Sequence, residues 1–209
     1  MEKIKTVLAH KIFKILKWAF LILAGLFVIL VIVRVFYFFN LDKTNAQVEK
    51  IHAMKITIND VMGKNLPPDP GIEADKTVQG IDVNKNGIRD DVELAVFKEY
   101  PNSAKTRGAL LQYALTQQMQ LTQPFMNTVL ATEIAREYSR GFQCVGNLVP
   151  NDLTPESFDK LDLLLSFVDK LQFNTKTRKD KSNSFYKQIR SYSELEKQDC
   201  DVDYSKLSN

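Results

Sequence analysis

Oxygen-bearing side chains recur at short intervals over residues 82–93. Calcium takes about six to eight oxygen ligands in a flexible shell, and carboxylates, amide oxygens and backbone carbonyls all serve. Gly87 would allow the sharp turn that brings such a loop round one centre. The expected ligands are Asp82, Asn84, Asn86, the backbone carbonyl of Ile88, Asp90 and, through both carboxylate oxygens, Glu93. The spacing therefore predicts a calcium (Ca²⁺) site with a structural role.

The same spacing resembles the EF-hand-like calcium loops, including the single loops of dockerins and thrombospondin type 3 repeats. An EF-hand usually has an aliphatic residue at loop position 8 that pairs with a second loop. Here Arg89 has that position, no second loop occurs, and the entering segment contains prolines. The resemblance thus implies an unpaired loop, for which we expect a Kd of about 10⁻⁴–10⁻³ M, as in extracellular modules. The alternative is an Asx-rich turn without metal, in which Asp91 caps the following helix.

A membrane anchor is predicted near the N-terminus. Residues 18–33 are uninterruptedly apolar or small, and aromatic residues stand at both ends of residues 18–39. As a helix, residues 18–39 would measure about 33 Å, against a hydrocarbon core of about 30 Å. The run ends in bulky residues, which favours an uncleaved signal anchor over a cleaved signal peptide. Five lysines in residues 1–17 predict that this end is cytoplasmic and that residues 40–209 form an extracytoplasmic domain.

The charge distribution supports this division of the chain. Residues 1–39 carry six cationic side chains and one acidic one, a net of +5. Because the whole chain carries +3, residues 40–209 carry −2. A nucleic-acid-binding domain needs a basic patch, so we expect no nucleic acid partner. The two cysteines, Cys144 and Cys200, are not spaced as metal ligands and predict one disulfide outside the cytoplasm, with free buried thiols as the alternative.

The periodicity of the soluble part is helical throughout, and the predicted fold class is all-α. Ile51, Met54, Ile58 and Val61 share one face of a helix predicted over residues 41–62. A Pro-rich connector over residues 64–81 then leads into the calcium loop, so that residues 64–93 are irregular. With one transmembrane helix in front, we expect a bundle of five or six helices. The later helices are predicted over residues 91–100, 103–123, 124–144, 154–171 and 185–197.

Several polar groups are expected to face solvent. The glutamines of the third predicted helix suggest an amide-rich contact surface, and Glu133 and Glu137 suggest a salt-bridged face with the neighbouring arginines. The basic run at residues 176–181 is predicted to be a solvated loop. The aspartates of the C-terminal tail, which are also predicted to be solvated, are Asp199, Asp201 and Asp203.

No catalytic constellation occurs in the sequence, and His52 is the only histidine beyond the anchor. We therefore expect a non-enzymatic protein of the bacterial inner membrane, with a calcium-stabilised periplasmic domain that binds a protein partner and no identified small-molecule substrate. An immunity or inhibitor protein against an envelope-targeted toxin is one alternative. An unrecognised envelope hydrolase and a structural spacer of a larger complex are two others.

Overall fold

The computed structural model describes residues 2–190 and 200–208, and within these ranges it contains helices and no strand. Six α-helices follow the long N-terminal one, which confirms the all-α fold class. Two short 3-10 helices occur at Gly71–Asp75 and Tyr204–Lys206. The α-helices are α1 (Glu2–Ala53), α2 (Ile58–Val61), α3 (Asp90–Glu99), α4 (Ala104–Thr122), α5 (Thr128–Gly146), α6 (Pro155–Gln172) and α7 (Lys176–Tyr186).

The chain divides into two compact units, Met1–Ala46 and Gln47–Asn209. In the first unit, every side chain from residue 13 to residue 39 is exposed, although most of them are apolar. α1 contains a stretch, beginning at Phe13, that is long and apolar enough to cross a membrane, with a mean hydropathy of 2.9. This exposed apolar surface is what a lipid-facing helix requires.

The helix predicted over residues 41–62 is interrupted. Residues 54–57 separate α1 from α2. Thr57 has an extended backbone and forms a capping box with Asp60, whose carboxylate accepts the Thr57 N–H at 2.7 Å. Because a new helix starts at this cap, the continuous helical spacing no longer applies, and Ile58, predicted to face the core, is exposed.

α4 lies at the centre of the second unit. It packs against α2, α3, α5, α6, α7 and the turn at Tyr204–Lys206. Sixteen of its nineteen residues are buried, so it has no solvent face of the kind an ordinary amphipathic helix keeps. The 3-10 helix Gly71–Asp75 packs on α3 instead.

The amide-rich contact surface predicted on α4 is wrong, because these glutamines are buried. The Gln118 amide donates to the Gln79 carbonyl at 2.6 Å, and the Gln112 Oε1 accepts from the Tyr204 hydroxyl at 2.7 Å. The amides thus join α4 to the irregular segments that surround it. The buried glutamines are Gln112, Gln117, Gln118, Gln120 and Gln123.

Side-chain caps fix where the later helices begin. Ser103 and Thr154 accept hydrogen bonds from the amides three residues on, as the sequence predicts. Thr175 does the same for α7, which replaces the solvated loop predicted over residues 176–181. The prediction of a last helix over residues 185–197 is wrong at its start, because Phe185 lies in the last turn of α7, which ends at Tyr186. The remainder of that predicted helix falls largely outside the described residues.

Candidate functional site

The calcium-type loop, residues 82–93, makes a tight turn that continues into α3. Lys85 and Gly87 both take left-handed backbone conformations, with φ of 58° and 86°. A Cβ added at Gly87 would lie 2.7 Å from Leu115 Cδ1. Backbone conformation and lack of space therefore both require glycine at this position of the motif.

Side-chain oxygens of the loop accept hydrogen bonds from the loop's own amides. Asp82 Oδ2 accepts from the Gly87 N–H at 2.9 Å, and Asn86 Oδ1 accepts from the Ile88 N–H at 2.9 Å. Asn84 Oδ1 accepts from the Asn86 N–H at 3.3 Å. The predicted ligands at positions 1, 3 and 5 are thus held within the turn by successive Asx-type bonds.

Glu93 lies over the loop from the first turn of α3. Its side chain is buried, and its Oε2 accepts a hydrogen bond of 2.9 Å from the Asn84 amide. Burial raises the pKa of Glu93 to about 7, against the opposing effect of hydrogen bonds from Asn84 and Asn86, and the charge of Asp60 raises it further. The structure therefore brings Glu93, at loop position 12, to Asn84 and Asn86, at positions 3 and 5.

Asp82 and Asp90 are the other two carboxylates of the loop. Burial raises the pKa of both, and the charges of Asp82 and Asp91 add to the effect at Asp90. Asp90 accepts the Val83 N–H at 3.1 Å. In the described part of the chain, no Lys, Arg or His nitrogen lies within 4.0 Å of either carboxylate or of Glu93. The two cations of the loop, Lys85 and Arg89, thus form no ion pair with these three carboxylates.

The oxygen-bearing side chains of the loop are of the types that calcium prefers, but they are not already arranged around one centre. The Oδ1 atom of Asp82 is buried and has no hydrogen-bond partner among the described residues. No group of three Asp, Glu, His or Cys side chains in the described ranges converges on one point. Coordination would therefore require Asn84 to turn its amide, because it presents nitrogen rather than oxygen to Glu93. Calcium would be held by the same side chains that now bond to the loop amides.

Arg89, the departure from the EF-hand pattern, joins the loop to α6. Its side chain is fully buried and makes a two-point ion pair with Asp91. The guanidinium also donates to the carbonyls of Gln172 at 3.2 Å and Leu171 at 3.4 Å. Arg89 itself precedes α3 without a side-chain cap, so the alternative in which Asp91 caps this helix is wrong. Arg89 thus links the loop to the C-terminal end of α6.

A second buried arginine, Arg178 of α7, holds the Pro-rich connector. Its guanidinium pairs with Asp75 and donates to the carbonyls of Val78 and Thr77, both at 3.0 Å. It also donates to the Ala74 carbonyl. The basic run predicted to be solvated therefore contains a fully buried member, because most of the connector lies outside its one short 3-10 helix and needs donors for its carbonyls.

The C-terminal tail is bound to the body of the unit. The predicted disulfide is present between Cys144 and Cys200, whose Cα atoms are 5.8 Å apart. Asp201 pairs with Arg140 and accepts the Ile56 N–H at 3.0 Å. The prediction that the tail aspartates are solvated is therefore wrong for Asp201, whose side chain is buried.

The other two predicted tail aspartates differ from Asp201. Asp203 pairs with Lys206 at 2.9 Å in a half-exposed position. Asp199 lies outside the described residues.

The salt-bridged face predicted on α5 is present but is not solvated. Glu133 pairs with Arg136 at 2.6 Å, and Glu137 pairs with Arg140. The side chains of the two glutamates are only 16% and 13% exposed. His52 contacts the same Glu133 at 3.2 Å, so the face is an internal contact between α1 and α5.

An uncharged cleft, which the sequence did not predict, separates α5 from α6. We call it the α5–α6 cleft; its volume is about 830 Å³. Phe142, Phe158 and Leu153 line it and are exposed, Leu153 by 74%. Leu153 also has a left-handed backbone, with φ of 54°, which is rare for a bulky side chain. An isolated leucine before the helix start at Thr154 was the only sequence signal for this feature.

Comparison of the chain with protein-family models, with curated proteins and with solved structures gave no match.

Proposed function

We propose that the chain is a non-enzymatic membrane-anchored protein whose extracytoplasmic domain is stabilised by calcium and binds a protein partner. The proposed orientation has residues 1–17 in the cytoplasm and the second unit in the periplasm. It is supported by the lysines before the apolar stretch and by a disulfide beyond it.

The calcium part of the proposal is carried by the three carboxylates of the loop, of which Asp90 and Glu93 are buried. Asp82, Asp90 and Glu93 have raised pKa values because burial penalises their charged forms. A divalent cation would remove that penalty by coordinating them. The ion would then stabilise the loop, the start of α3 and, through Arg89, the end of α6.

The partner part of the proposal is carried by the α5–α6 cleft. Exposed apolar side chains that are gathered in one cleft, here Phe142, Leu153 and Phe158, favour an interaction site. None of the described residues that line it is charged, so the occupant we propose is an apolar segment of another protein. The strained Leu153 fits such a role, because unfavourable backbone conformations are concentrated at functional positions.

Photocrosslinking in native membranes tests this proposal. A photoreactive amino acid is placed at Leu153, at Phe158 and, as the control, at Ile72, which is 85% exposed but belongs to the connector. We expect the two cleft positions to give one discrete adduct of the same mass, and the control position to give none.

The captured protein is then identified and purified for a binding measurement. We expect it to bind the full-length chain and to lose binding with Phe142→Asp, which puts a charge into the cleft without changing the calcium loop. Identical adducts from Ile72, or unchanged binding by Phe142→Asp, would contradict the docking proposal.

A further inference from the structure

A second, smaller cleft lies where α4, α5, α6 and α7 meet, and Tyr138 lines both this cleft and the α5–α6 cleft. We call it the Asp169 cleft; its volume is about 310 Å³. Aromatic rings form part of its lining, and Lys179 stands at its exposed rim. The aromatic residues are Tyr138, Phe173 and Tyr186.

Two hydrogen-bond acceptors of this cleft lack donors. Asp169 Oδ1 accepts from the Tyr113 hydroxyl at 3.0 Å and from the Gln117 amide. No described residue donates to its other oxygen, Oδ2, and no Lys, Arg or His nitrogen in the described ranges lies within 4.0 Å of it. Gln117 is 1% exposed, and its Oε1 is buried without a partner among the described residues.

The Gln117 side chain connects the two acceptors. Its amide nitrogen donates to Asp169 Oδ1, and the unpartnered oxygen belongs to the same amide group. The neighbouring Tyr113 hydroxyl is a donor to Asp169, because burial and the nearby negative charge raise the pKa of Tyr113. The cleft therefore combines the Asp169 carboxylate with the unpartnered Gln117 oxygen, and the positive charge of its lining, on Lys179, belongs to an exposed side chain that does not pair with Asp169.

We propose that the Asp169 cleft binds a primary ammonium group. An ammonium carries three N–H donors and a positive charge, which match Asp169 Oδ2 and Gln117 Oε1. The faces of aromatic rings attract cations, which suits the lining of this cleft. Its volume is at the small end of the range for ligand sites, so the occupant is an amine-sized molecule or a single lysine side chain.

Other occupants fit the cleft less well. A calcium or magnesium ion needs about six or more oxygen ligands, and among the described residues of the lining Asp169 is the only carboxylate. An anion would be repelled by Asp169 and would leave both acceptors without donors. A neutral alcohol would satisfy one acceptor and leave the charge unpaired.

A titration of the full-length protein in lipid nanodiscs, followed by NMR of isotope-labelled tyrosine rings, tests this proposal. Cadaverine represents free amines, and its neutral counterpart is 1,5-pentanediol. The Nα-acetyl-lysine methylamide represents a protein lysine, and its neutral counterpart carries an acetyl group on the side-chain nitrogen. We expect saturable shifts of the Tyr138 and Tyr186 signals with at least one amine probe and none with the neutral probes.

Binding by cadaverine alone identifies a free amine as the ligand source, and binding by the lysine derivative alone identifies a protein side chain. Asp169→Asn keeps the shape of the side chain and should weaken binding by at least about tenfold, because a charge-assisted hydrogen bond becomes a neutral one. Gln117→Met, which removes the buried unpartnered oxygen, should also weaken it. Asp180→Asn, in the exposed pair with Lys176, is the control and should change nothing.

Equal shifts with neutral and charged probes, or unchanged affinity of Asp169→Asn, would overturn the proposal. So would the absence of Tyr138 shifts with any amine probe up to its solubility limit. Circular dichroism melting of both variants confirms that a loss of binding is not a loss of folding.

Discussion

The Arg89 guanidinium lies 3.2 Å from the backbone carbonyl of Gln172, and this contact joins the calcium-type loop to the C-terminal end of α6. Helix ends leave carbonyls without partners, and a buried cation is a strong donor for them. Arg89 also pairs with Asp91 in the first turn of α3. One side chain therefore links the loop to two helices.

Arg89→Lys should destabilise the second unit by about 2 kcal/mol, because an ammonium cannot reproduce the two-point pair with Asp91 and still reach the carbonyls. Thermal unfolding of the full-length protein, followed by circular dichroism, measures the change. Arg190→Lys, at an exposed arginine, is the matched control and should leave the melting temperature unchanged. If Arg89→Lys and the wild type have the same melting temperature, the contact of Arg89 with α6 does not contribute to stability.

Without calcium, the stability of the second unit should decrease as the pH rises from about 4.5 to about 7. The pKa of Glu93 is raised from 4.5 to about 7 by folding, so the folded state holds this proton more tightly than the unfolded state. The stability that Glu93 contributes is fully present below its pKa in the unfolded state, and it is lost as the pH rises through its pKa in the folded state. The raised pKa values of Asp82 and Asp90 act in the same direction.

Melting curves in a chelator across this pH interval, for the wild type and for Glu93→Gln, test the effect. The difference in unfolding free energy attributable to Glu93 should approach about 3 kcal/mol. The slope should be smaller in Glu93→Gln, which cannot titrate. Parallel curves for the two proteins would mean that Glu93 is not protonated on folding.

Gly87→Ala should destabilise the unit by more than Gly71→Ala. Both glycines have positive φ, 86° and 52°, so both variants incur backbone strain of about 1 kcal/mol. Only at Gly87 would the new Cβ also meet a neighbour, the Leu115 side chain, and no atom lies within 4 Å at Gly71. The difference between the two melting temperatures measures the packing of the loop against α4. If the two variants melt alike, the loop is not pressed against Leu115.

Cys144→Ser and Cys200→Ser should show the same mobility on a non-reducing gel, because either change opens the same bridge. A bridge with a sequence separation of 56 stabilises by roughly 4 kcal/mol in the chain-entropy treatment. Cys144→Ser should melt lower than Cys200→Ser, since it also buries an unpaired hydroxyl at a fully buried position. Different mobilities would contradict the pairing.

Local sequence signals predicted the features that depend on neighbouring residues. Thr154 before Pro155 marks the start of α6, and Ser103 marks that of α4, because caps act within one turn. The 3.6-residue period of apolar side chains predicted an all-α fold for the same reason. The oxygen spacing of the calcium-type loop is likewise local, and the structure places Glu93 against Asn84.

The features that the sequence did not predict depend on contacts between distant segments. Arg178 looks like part of a solvated basic run until the connector, about a hundred residues earlier, supplies carbonyls for it. Gln118 looks like a surface amide until Gln79 accepts its hydrogen bond. Neither partner can be identified from periodicity, because polar side chains in a buried helix leave no apolar pattern to read. The α5–α6 cleft was missed because exposed apolar residues are common singly, and only the fold brings them together.

The stability of the full-length protein with chelator and with calcium tests the central claim most directly. In about 10 mM calcium, a Kd of about 10⁻⁴–10⁻³ M gives roughly 1.4–2.7 kcal/mol of stabilisation, which raises the melting temperature by several degrees. Glu93→Gln should abolish this rise and, in chelator at neutral pH, melt no lower than the wild type, because it removes a buried charge. A rise of the same size in Glu93→Gln, or no rise in the wild type, would contradict a calcium site in residues 82–93.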